Sequence, residues 1–244
     1  MAPARARIDV SPDFEGLAHR VGQWVTDLAC ATPRRFAIAL SGGSTPKRLY
    51  QLLAGPPYRE ALPWDRVHWF WGDDRFVPWD HPDSNYGMTR AAMLAHVPVP
   101  PGNVHAIAFD GTLADAAQDY ERQLKAYYGA ETLDPARPLF DVVLLGMGSD
   151  GHTASLFPGK PALEERQHWV TAVPEPGLAP RVPRITLTFP ALESSRSTAF
   201  VAAGADKHPM MTRVLAGEWD LPSARVRPQG ELVWFIDAAA RSGH

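Results

Sequence analysis

The chain contains one stretch that decides its fold: Phe140-Asp-Val-Val-Leu-Leu-Gly-Met-Gly-Ser-Asp-Gly-His-Thr-Ala-Ser-Leu-Phe-Pro158. Its apolar run ends abruptly in glycines, which is typical of a buried strand that enters a tight or closely packed loop. Asp150 and His152 lie on that loop. Because open α/β sheets bind ligands beyond the carboxyl ends of their strands, the stretch predicts a site where His152 transfers protons.

The same loop matches the dinucleotide-binding pattern, with Gly146, Gly148 and Gly151 in the three glycine positions. That pattern requires a helix after the glycines and an acidic residue at the end of the next strand. Here His152 follows at once and Pro158 closes the segment, so we interpret the loop as neither a nicotinamide nor a flavin site. The remaining alternative is a glycine-rich turn with an incidental histidine.

Composition excludes several classes of protein. The 244 residues are 45% hydrophobic with a net charge of -3, which suits one α/β domain over residues 1–244 and does not favour a nucleic-acid partner. No run of about 18 apolar residues predicts a membrane span, and residues 1–10 show no signal peptide. The nine histidines have no zinc-ligand spacing, so no metal is expected. Cys30 is the only cysteine, which fits a reducing, cytoplasmic location.

Hydrophobic periodicity predicts alternating helices and strands. Helices are expected over residues 12–29, 46–53, 84–94, 113–128 and 205–215. Strands are expected over residues 36–40, 67–71, 104–107, 140–145, 168–171, 185–189, 198–202 and 232–236. This alternation predicts an α/β fold in which helices cover both faces of a mainly parallel sheet.

A second candidate site is the turn Ser41-Gly-Gly-Ser-Thr-Pro46, which joins a buried strand to a helix. Thr45 suits the N-cap of that helix and Pro46 its first position. Free backbone N–H groups at a helix N-terminus bind anions, so the turn predicts a phosphate site. The residues expected to contact phosphate are Ser41, Gly42, Gly43, Ser44 and Thr45. The alternative is an ordinary strand-to-helix turn.

A third candidate follows another buried strand, in Val67-His-Trp-Phe-Trp-Gly-Asp-Asp-Arg75. Asp73, Asp74 and Arg75 cluster just beyond the end of this strand. Taken alone, the cluster is compatible with a surface group of ion pairs. Three strands that each end in glycine and polar residues instead indicate one shared site.

Together these segments resemble the 6-phosphogluconolactonase family, within the wider glucosamine-6-phosphate deaminase/isomerase superfamily. The resemblance extends to Asp83-Ser-Asn-Tyr86, Arg184-Ile-Thr-Leu-Thr188 and Gly204-Ala-Asp-Lys207. It implies a single-domain, three-layer α/β/α Rossmann-like fold without a dinucleotide. It also implies hydrolysis of a small-molecule sugar-phosphate lactone, 6-phosphogluconolactone, in the oxidative pentose phosphate pathway, without a cofactor.

The chain departs from the family at Asp74, where glutamate is usual. It departs from the deaminases at Arg75, where they carry tyrosine. It also reads Thr153-Ala-Ser-Leu-Phe157 where they read Ile-Ala-Phe-Asn-Glu, so it lacks the glutamate used for ring opening. Two alternatives to a lactonase remain. One is a deaminase/isomerase, and the other is a non-catalytic sugar-phosphate sensor, which would need a DNA-binding module.

Hydrolysis of a lactone requires a base that activates water and a group that stabilises the oxyanion. His152 is expected to act as the general base, oriented by Asp150 or by Asp73. Arg75 is expected to stabilise the oxyanion or to bind sugar hydroxyls.

The resemblance makes Lys207 an expected phosphate ligand, and Arg184 a phosphate or sugar ligand. The sequence is compatible with a monomer or a weak homo-oligomer.

Overall fold

The computed structural model describes residues 6–243. The strands within this part of the chain are β1 (Arg7–Ser11), β2 (Phe36–Leu40), β3 (Val67–Trp71), β4 (Asp73–Arg75), β5 (Phe140–Leu145), β6 (Val170–Val173), β7 (Arg184–Leu187), β8 (Ser195–Ala202) and β9 (Glu231–Asp237). The α-helices are α1 (Phe14–Ala31), α2 (Ser44–Leu53), α3 (Tyr58–Ala61), α4 (Asn85–Ala92), α5 (Leu113–Tyr128), α6 (Phe189–Glu193), α7 (His208–Leu215), α8 (Pro222–Arg225) and α9 (Ala238–Ser242).

Six strands form a parallel sheet in the order β1-β9-β8-β5-β2-β3. The chain extends the sheet from β2 to β3 in one direction, then continues from β5 on the opposite side of β2. The boundary between β2 and β5 is therefore the topological switch point, where loops leave the sheet in opposite directions and open a crevice. A second, antiparallel sheet has the order β4-β7-β6.

Helices cover both faces of the parallel sheet, as predicted. Phe70 packs against Tyr127 of α5, whereas the indole of its neighbour Trp71 donates to Thr89 of α4. Because successive side chains of a strand point to opposite faces, α4 and α5 lie on opposite sides of β3. The sheet therefore has a helix on each side, which confirms the three-layer arrangement. Within residues 6–243, no helix has the length and apolar character needed to cross a bilayer.

Most predicted elements are confirmed, with boundaries that shift by a few residues. Strands β2, β3 and β5 occur with the predicted bounds, and every residue in them is buried, which explains their continuous apolar sequences. The antiparallel sheet was not foreseen, because β4 has three residues and is too short to show a period. Of residues 1–10, over which no signal peptide is expected, residues 1–5 lie outside the described part of the chain.

Two local predictions were wrong. Residues 104–107 do not form a strand: Val104 makes one isolated bridge with Trp69 and the segment then leaves the sheet. Its apolar residues pack on the core, so the segment has the sequence pattern of a strand. No ladder of backbone hydrogen bonds continues beyond the single bridge. Helix α2 begins at Ser44 rather than Pro46, and its N-cap is Gly43 rather than Thr45. Gly43 has a φ of 111°, a conformation that favours glycine.

Two buried tyrosines secure the backbone where β2 and β3 end. The Tyr50 hydroxyl donates to the Ser41 carbonyl at 2.7 Å and accepts from the Ser41 N–H at 3.1 Å. The Tyr120 hydroxyl makes the same pair of bonds with Trp71, both at 2.8 Å. Each tyrosine therefore satisfies backbone groups at the edge from which the functional loops emerge.

We expect Tyr50→Phe to lower the free energy of unfolding by about 1–3 kcal/mol, because it leaves two buried backbone groups of Ser41 unpaired. Chemical denaturation of both proteins measures the difference. The control is Tyr58→Phe, which removes a part-exposed hydroxyl bonded to His19, where water can replace the bond. Equal losses in the two variants would contradict a special contribution of Tyr50.

Candidate active site

The loops that follow β2, β3 and β5 meet at the switch point and enclose a cavity of about 210 Å³. It is lined by Ser41, Gly42, Gly43, Asp73, Arg75, Asn85, Gly146, Met147, Gly148, His152, Ala154 and Arg184. Larger clefts of about 550 and 660 Å³ lie on the helical surface. We place the site in the smaller cavity because it combines a histidine, two arginines and a buried carboxylate.

The cavity brings together most residues that the sequence predicted. The glycine turn contributes Ser41, Gly42 and Gly43, and the other loops contribute Asp73, Arg75 and His152, with Arg184 from β7. Ser44 and Thr45 belong to the first turn of α2 and do not line the cavity. Lys207 also lies outside the lining, and its ammonium is 3.7 Å from the Asp206 carboxylate.

Asp150 holds the His152 imidazole. The His152 Nδ1 lies 2.6 Å from Asp150 Oδ1, and the His152 backbone N–H donates to the same oxygen at 3.1 Å. Burial raises the pKa of Asp150, but the hydrogen bonds from His152 lower it by more, so its pKa lies below the usual value. A carboxylate that accepts from Nδ1 fixes the neutral tautomer in which Nε2 has a free lone pair. Nε2 is therefore the nitrogen that can accept a proton.

Asp73 has a different partner. Its Oδ2 accepts from the Ser155 hydroxyl at 2.6 Å, and its carbonyl accepts from the Asn85 side-chain amide at 2.9 Å. Asp73 is 5% exposed, so the cavity contains a buried carboxyl group. Sequence alone left open whether Asp73 or Asp150 contacts His152, and the hydrogen bonds assign that contact to Asp150.

Two arginines lie directly opposite each other, because the antiparallel register pairs Arg75 of β4 with Arg184 of β7. Arg75 donates to the Asp83 carbonyl at 2.8 Å and to Asn85 at 2.9 Å, while Arg184 donates to the Pro180 carbonyl at 3.1 Å. Burial lowers the pKa of Arg184, and the nearby Asp73 counteracts this effect. Like charges in opposite positions repel, so this arrangement favours an anion between them.

Unpaired polar atoms mark the same cavity. Three of the four buried side-chain atoms without a hydrogen-bond partner in residues 6–243 belong to its lining: Ser41 Oγ, Arg75 Nε and Arg184 Nε. Buried polar atoms normally have partners, and exceptions require an explanation. A polar ligand that accepts from the arginines and bonds the serine hydroxyl provides one.

Asp74 lies outside the cavity lining and stabilises the backbone around the site. Its carboxylate accepts from the backbone N–H groups of Arg75, Asn85 and Tyr86 at 2.7, 2.6 and 2.9 Å. Burial raises the pKa of Asp74 to about 6, although these three bonds lower it. The carboxylate caps the first turn of α4 and connects β4 to that helix. The shorter aspartate, where the resemblance expects glutamate, therefore reaches its partners.

Two glycines allow side chains to approach the loops closely. A Cβ on Gly148 would lie 2.0 Å from His152 Nδ1 and 2.8 Å from Asp150 Oδ1. A Cβ on Gly42 would lie 1.9 Å from Asn85 Oδ1. A side chain at either position would therefore displace His152 and Asp150, or the Asn85 amide.

Sequence reasoning assigned no role to Asn85 or Ser155. Asn85 joins Arg75 to the Asp73 carbonyl, and Ser155 holds the Asp73 carboxylate. The signal for Asn85 was its place in Asp83-Ser-Asn-Tyr86, where Ser84 caps α4. Ser155 gave no comparable signal, because its partner lies 82 residues away in the chain.

Fold and site define an α/β protein whose switch-point cavity suits a small anionic ligand. The chain belongs to the family described as glucosamine-6-phosphate isomerases/6-phosphogluconolactonase, which matches residues 12–234. A 6-phosphogluconolactonase from Nostoc sp. is 44% identical over 241 residues, covering 96% of each chain. A 6-phosphogluconolactonase from Rattus norvegicus is 40% identical over 249 residues, covering 98% of this chain and 94% of the other.

Solved structures show the same architecture. A 6-phosphogluconolactonase from Trypanosoma cruzi has a TM-score of 0.86 and 29% identity, covering 98% of both chains. The Thermotoga maritima 6-phosphogluconolactonase has a TM-score of 0.82 and 30% identity, covering 95% of this chain and 99% of the other. A monomeric glucosamine-6-phosphate deaminase has a TM-score of 0.83 at 19% identity, covering 98% of this chain and all of its own, which shows a shared fold alone.

We expect Gly148→Ala to break the hydrogen bond between His152 and Asp150, because the new methyl group would occupy the space of Nδ1. The measurement is the proton NMR resonance of the bonded Nδ1–H, which should lose its downfield position. Gly146→Ala is the control, since a Cβ there meets nothing within 4 Å. An unchanged resonance in Gly148→Ala would show that the loop adapts without moving His152.

Proposed function

We propose that this protein hydrolyses 6-phospho-D-glucono-1,5-lactone to 6-phosphogluconate, as in the oxidative pentose phosphate pathway. One observation carries the proposal: a histidine with its Nδ1 held by a carboxylate lies in the same cavity as two arginines whose Nε atoms are buried and unpaired. A base and an anion-binding pair are the groups that hydrolysis of a phosphorylated lactone requires. The names of the relatives support the same substrate.

In the proposed reaction His152 Nε2 accepts a proton from water while the water oxygen attacks the lactone carbonyl. The carbonyl π electrons move to its oxygen, and Arg75 stabilises the resulting oxyanion. When the tetrahedral intermediate collapses, the bond to the ring oxygen breaks and His152 returns its proton to that oxygen. Asp150 stabilises the imidazolium between the two transfers. The water adds across the ester bond, and no group remains attached to the protein.

We assign the phosphate to Arg184 and to the glycine turn that follows β2. Arg184 supplies a buried cation, and Gly42 and Gly43 present backbone groups beside the N-terminus of α2. Lys207 follows β8, the neighbour of β5, and therefore approaches from the same edge of the sheet. Ser44 and Thr45 supply the first N–H groups of α2.

The proposal requires no cofactor, because protein side chains supply the base and the oxyanion donor. Within residues 6–243 no group of three or more histidine, cysteine or acidic side chains has the geometry to hold a metal ion. We also propose a cytoplasmic location, which the single, unpaired Cys30 supports.

We expect His152→Ala to lower kcat for lactone hydrolysis by about 10²- to 10⁴-fold, the range for loss of a general base. KM should change little, because the phosphate is held by other residues. The assay follows the lactone after subtraction of its spontaneous hydrolysis. His96→Ala is the control, since that exposed histidine bonds the Ala91 carbonyl away from the cavity.

Wild-type kcat in His152→Ala would exclude His152 as the base. If instead the wild-type protein releases ammonia from glucosamine 6-phosphate and leaves the lactone at its spontaneous rate, the chain is a deaminase. Tight binding of the sugar phosphate without either reaction would identify a sensor.

The wild-type kcat/KM should fall at acid pH, because protonated His152 cannot accept a proton from water. In Asp150→Asn this acid limb should move to lower pH, since the variant loses a negative charge that favours the imidazolium. A pH series of kcat/KM for both proteins measures the displacement. Movement of the limb to higher pH would contradict the contact between Asp150 and His152.

A further inference from the structure

The peptide unit that joins Gly151 to His152 is held at both ends. Its carbonyl accepts two hydrogen bonds from Ser223, from the backbone N–H at 3.0 Å and from Oγ at 2.8 Å. Its N–H donates to Asp150 Oδ1 at 3.1 Å, the oxygen that also contacts His152 Nδ1. Rotation of this peptide unit would therefore change the geometry of the bond that orients the imidazole.

Gly151 has a φ of 80°, a conformation that glycine adopts readily and that residues with a side chain rarely adopt. Leu221 and Met210 pack against Gly151, so that a Cβ there would lie 2.9 Å from Leu221 Cδ2 and 3.2 Å from Met210 Sδ. This packing limits movement of the loop, and Ser223 adds directional bonds to it.

Ser223 is buried and lies on α8, 72 residues beyond the loop. It lies outside the lining of the cavity, so it is not positioned to touch the substrate. Its hydroxyl makes the bond to Gly151 within the interior, where water does not compete for the carbonyl. Ser223 therefore does not contact the His152 side chain, but it bonds the peptide unit that joins Gly151 to His152.

We propose that Ser223 is a positioning residue for the reaction, which aligns His152 with Asp150 by fixing the Gly151 carbonyl. This inference rests on the proposed function, in which His152 is the base. Ser223 acts on the geometry of the base and not on the affinity for phosphate. The loss of its hydroxyl should therefore lower kcat and leave KM nearly unchanged.

The test compares Ser223→Ala with the wild-type protein in three measurements: kcat and KM for the lactone, the pH profile of kcat/KM, and the NMR resonance of the His152 Nδ1–H. We expect kcat to fall about 10-fold, the scale of a small misplacement of a catalytic group. The acid limb should move and the Nδ1–H resonance should shift upfield. Ser223→Thr, which keeps the hydroxyl, should recover most of kcat.

Ser194→Ala is the matched control, because Ser194 is equally buried and its Oγ accepts from the Leu139 N–H, away from the loop. It should lose stability without a change in the His152 resonance or in the pH profile. If Ser223→Ala behaves like Ser194→Ala in kcat, pH profile and resonance, the hydroxyl has a structural role and the proposal is wrong.

Two further results separate this inference from the proposed function. If His152→Ala keeps its kcat while the Nδ1–H resonance still depends on Ser223, the assignment of the base is wrong and the alignment of the loop stands. If Ser223→Ala does not fold, Ser223→Cys replaces it, since a thiol is a weak donor of similar shape. Wild-type kcat and resonance in Ser223→Cys would overturn the proposal.

Discussion

The structure depends on which groups form hydrogen bonds with the backbone where three adjacent parallel strands end. At the carboxyl edge of β5, β2 and β3 the ladder of backbone hydrogen bonds stops. The buried N–H and C=O groups at the end of each strand therefore need other hydrogen-bond partners. Tyr50 and Tyr120 supply hydroxyls for two of these strands, at Ser41 and at Trp71. The loop after β5 instead bonds to itself, from the Gly148 N–H to the His152 carbonyl. Polar side chains of the three loops line the crevice at the switch point.

Much of this arrangement was predictable from sequence, because the central strands are buried on both faces and therefore read as apolar runs that end in glycine. The convergence of His152, Arg75 and the Ser41 turn follows once the strands are parallel and adjacent. The start of α2 was not predictable in the same way. Thr45 and Pro46 have the chemistry of a cap and a first turn, yet Gly43 adopts the φ that begins the helix earlier.

Contacts set by tertiary pairing were beyond the sequence. The position of Arg75 opposite Arg184 requires β4, a strand of three residues whose partner follows more than a hundred residues later. The choice between Asp150 and Asp73 was likewise beyond the sequence, because only the folded chain shows that Asp73 accepts from Ser155 and that Asp150 contacts His152. Periodicity describes how a segment meets the core, but it contains no information about which distant segment a polar side chain meets.

The opposed arginines have a consequence for the whole molecule. Their mutual repulsion is a cost that the folded chain carries and the unfolded chain, with its two cations far apart, does not. An anion bound between them removes that cost only in the folded state, so by mass action it raises the free energy of unfolding in proportion to the logarithm of its concentration. Under the proposed function, the thermal stability of this protein should therefore rise with the concentration of the sugar phosphate that it binds.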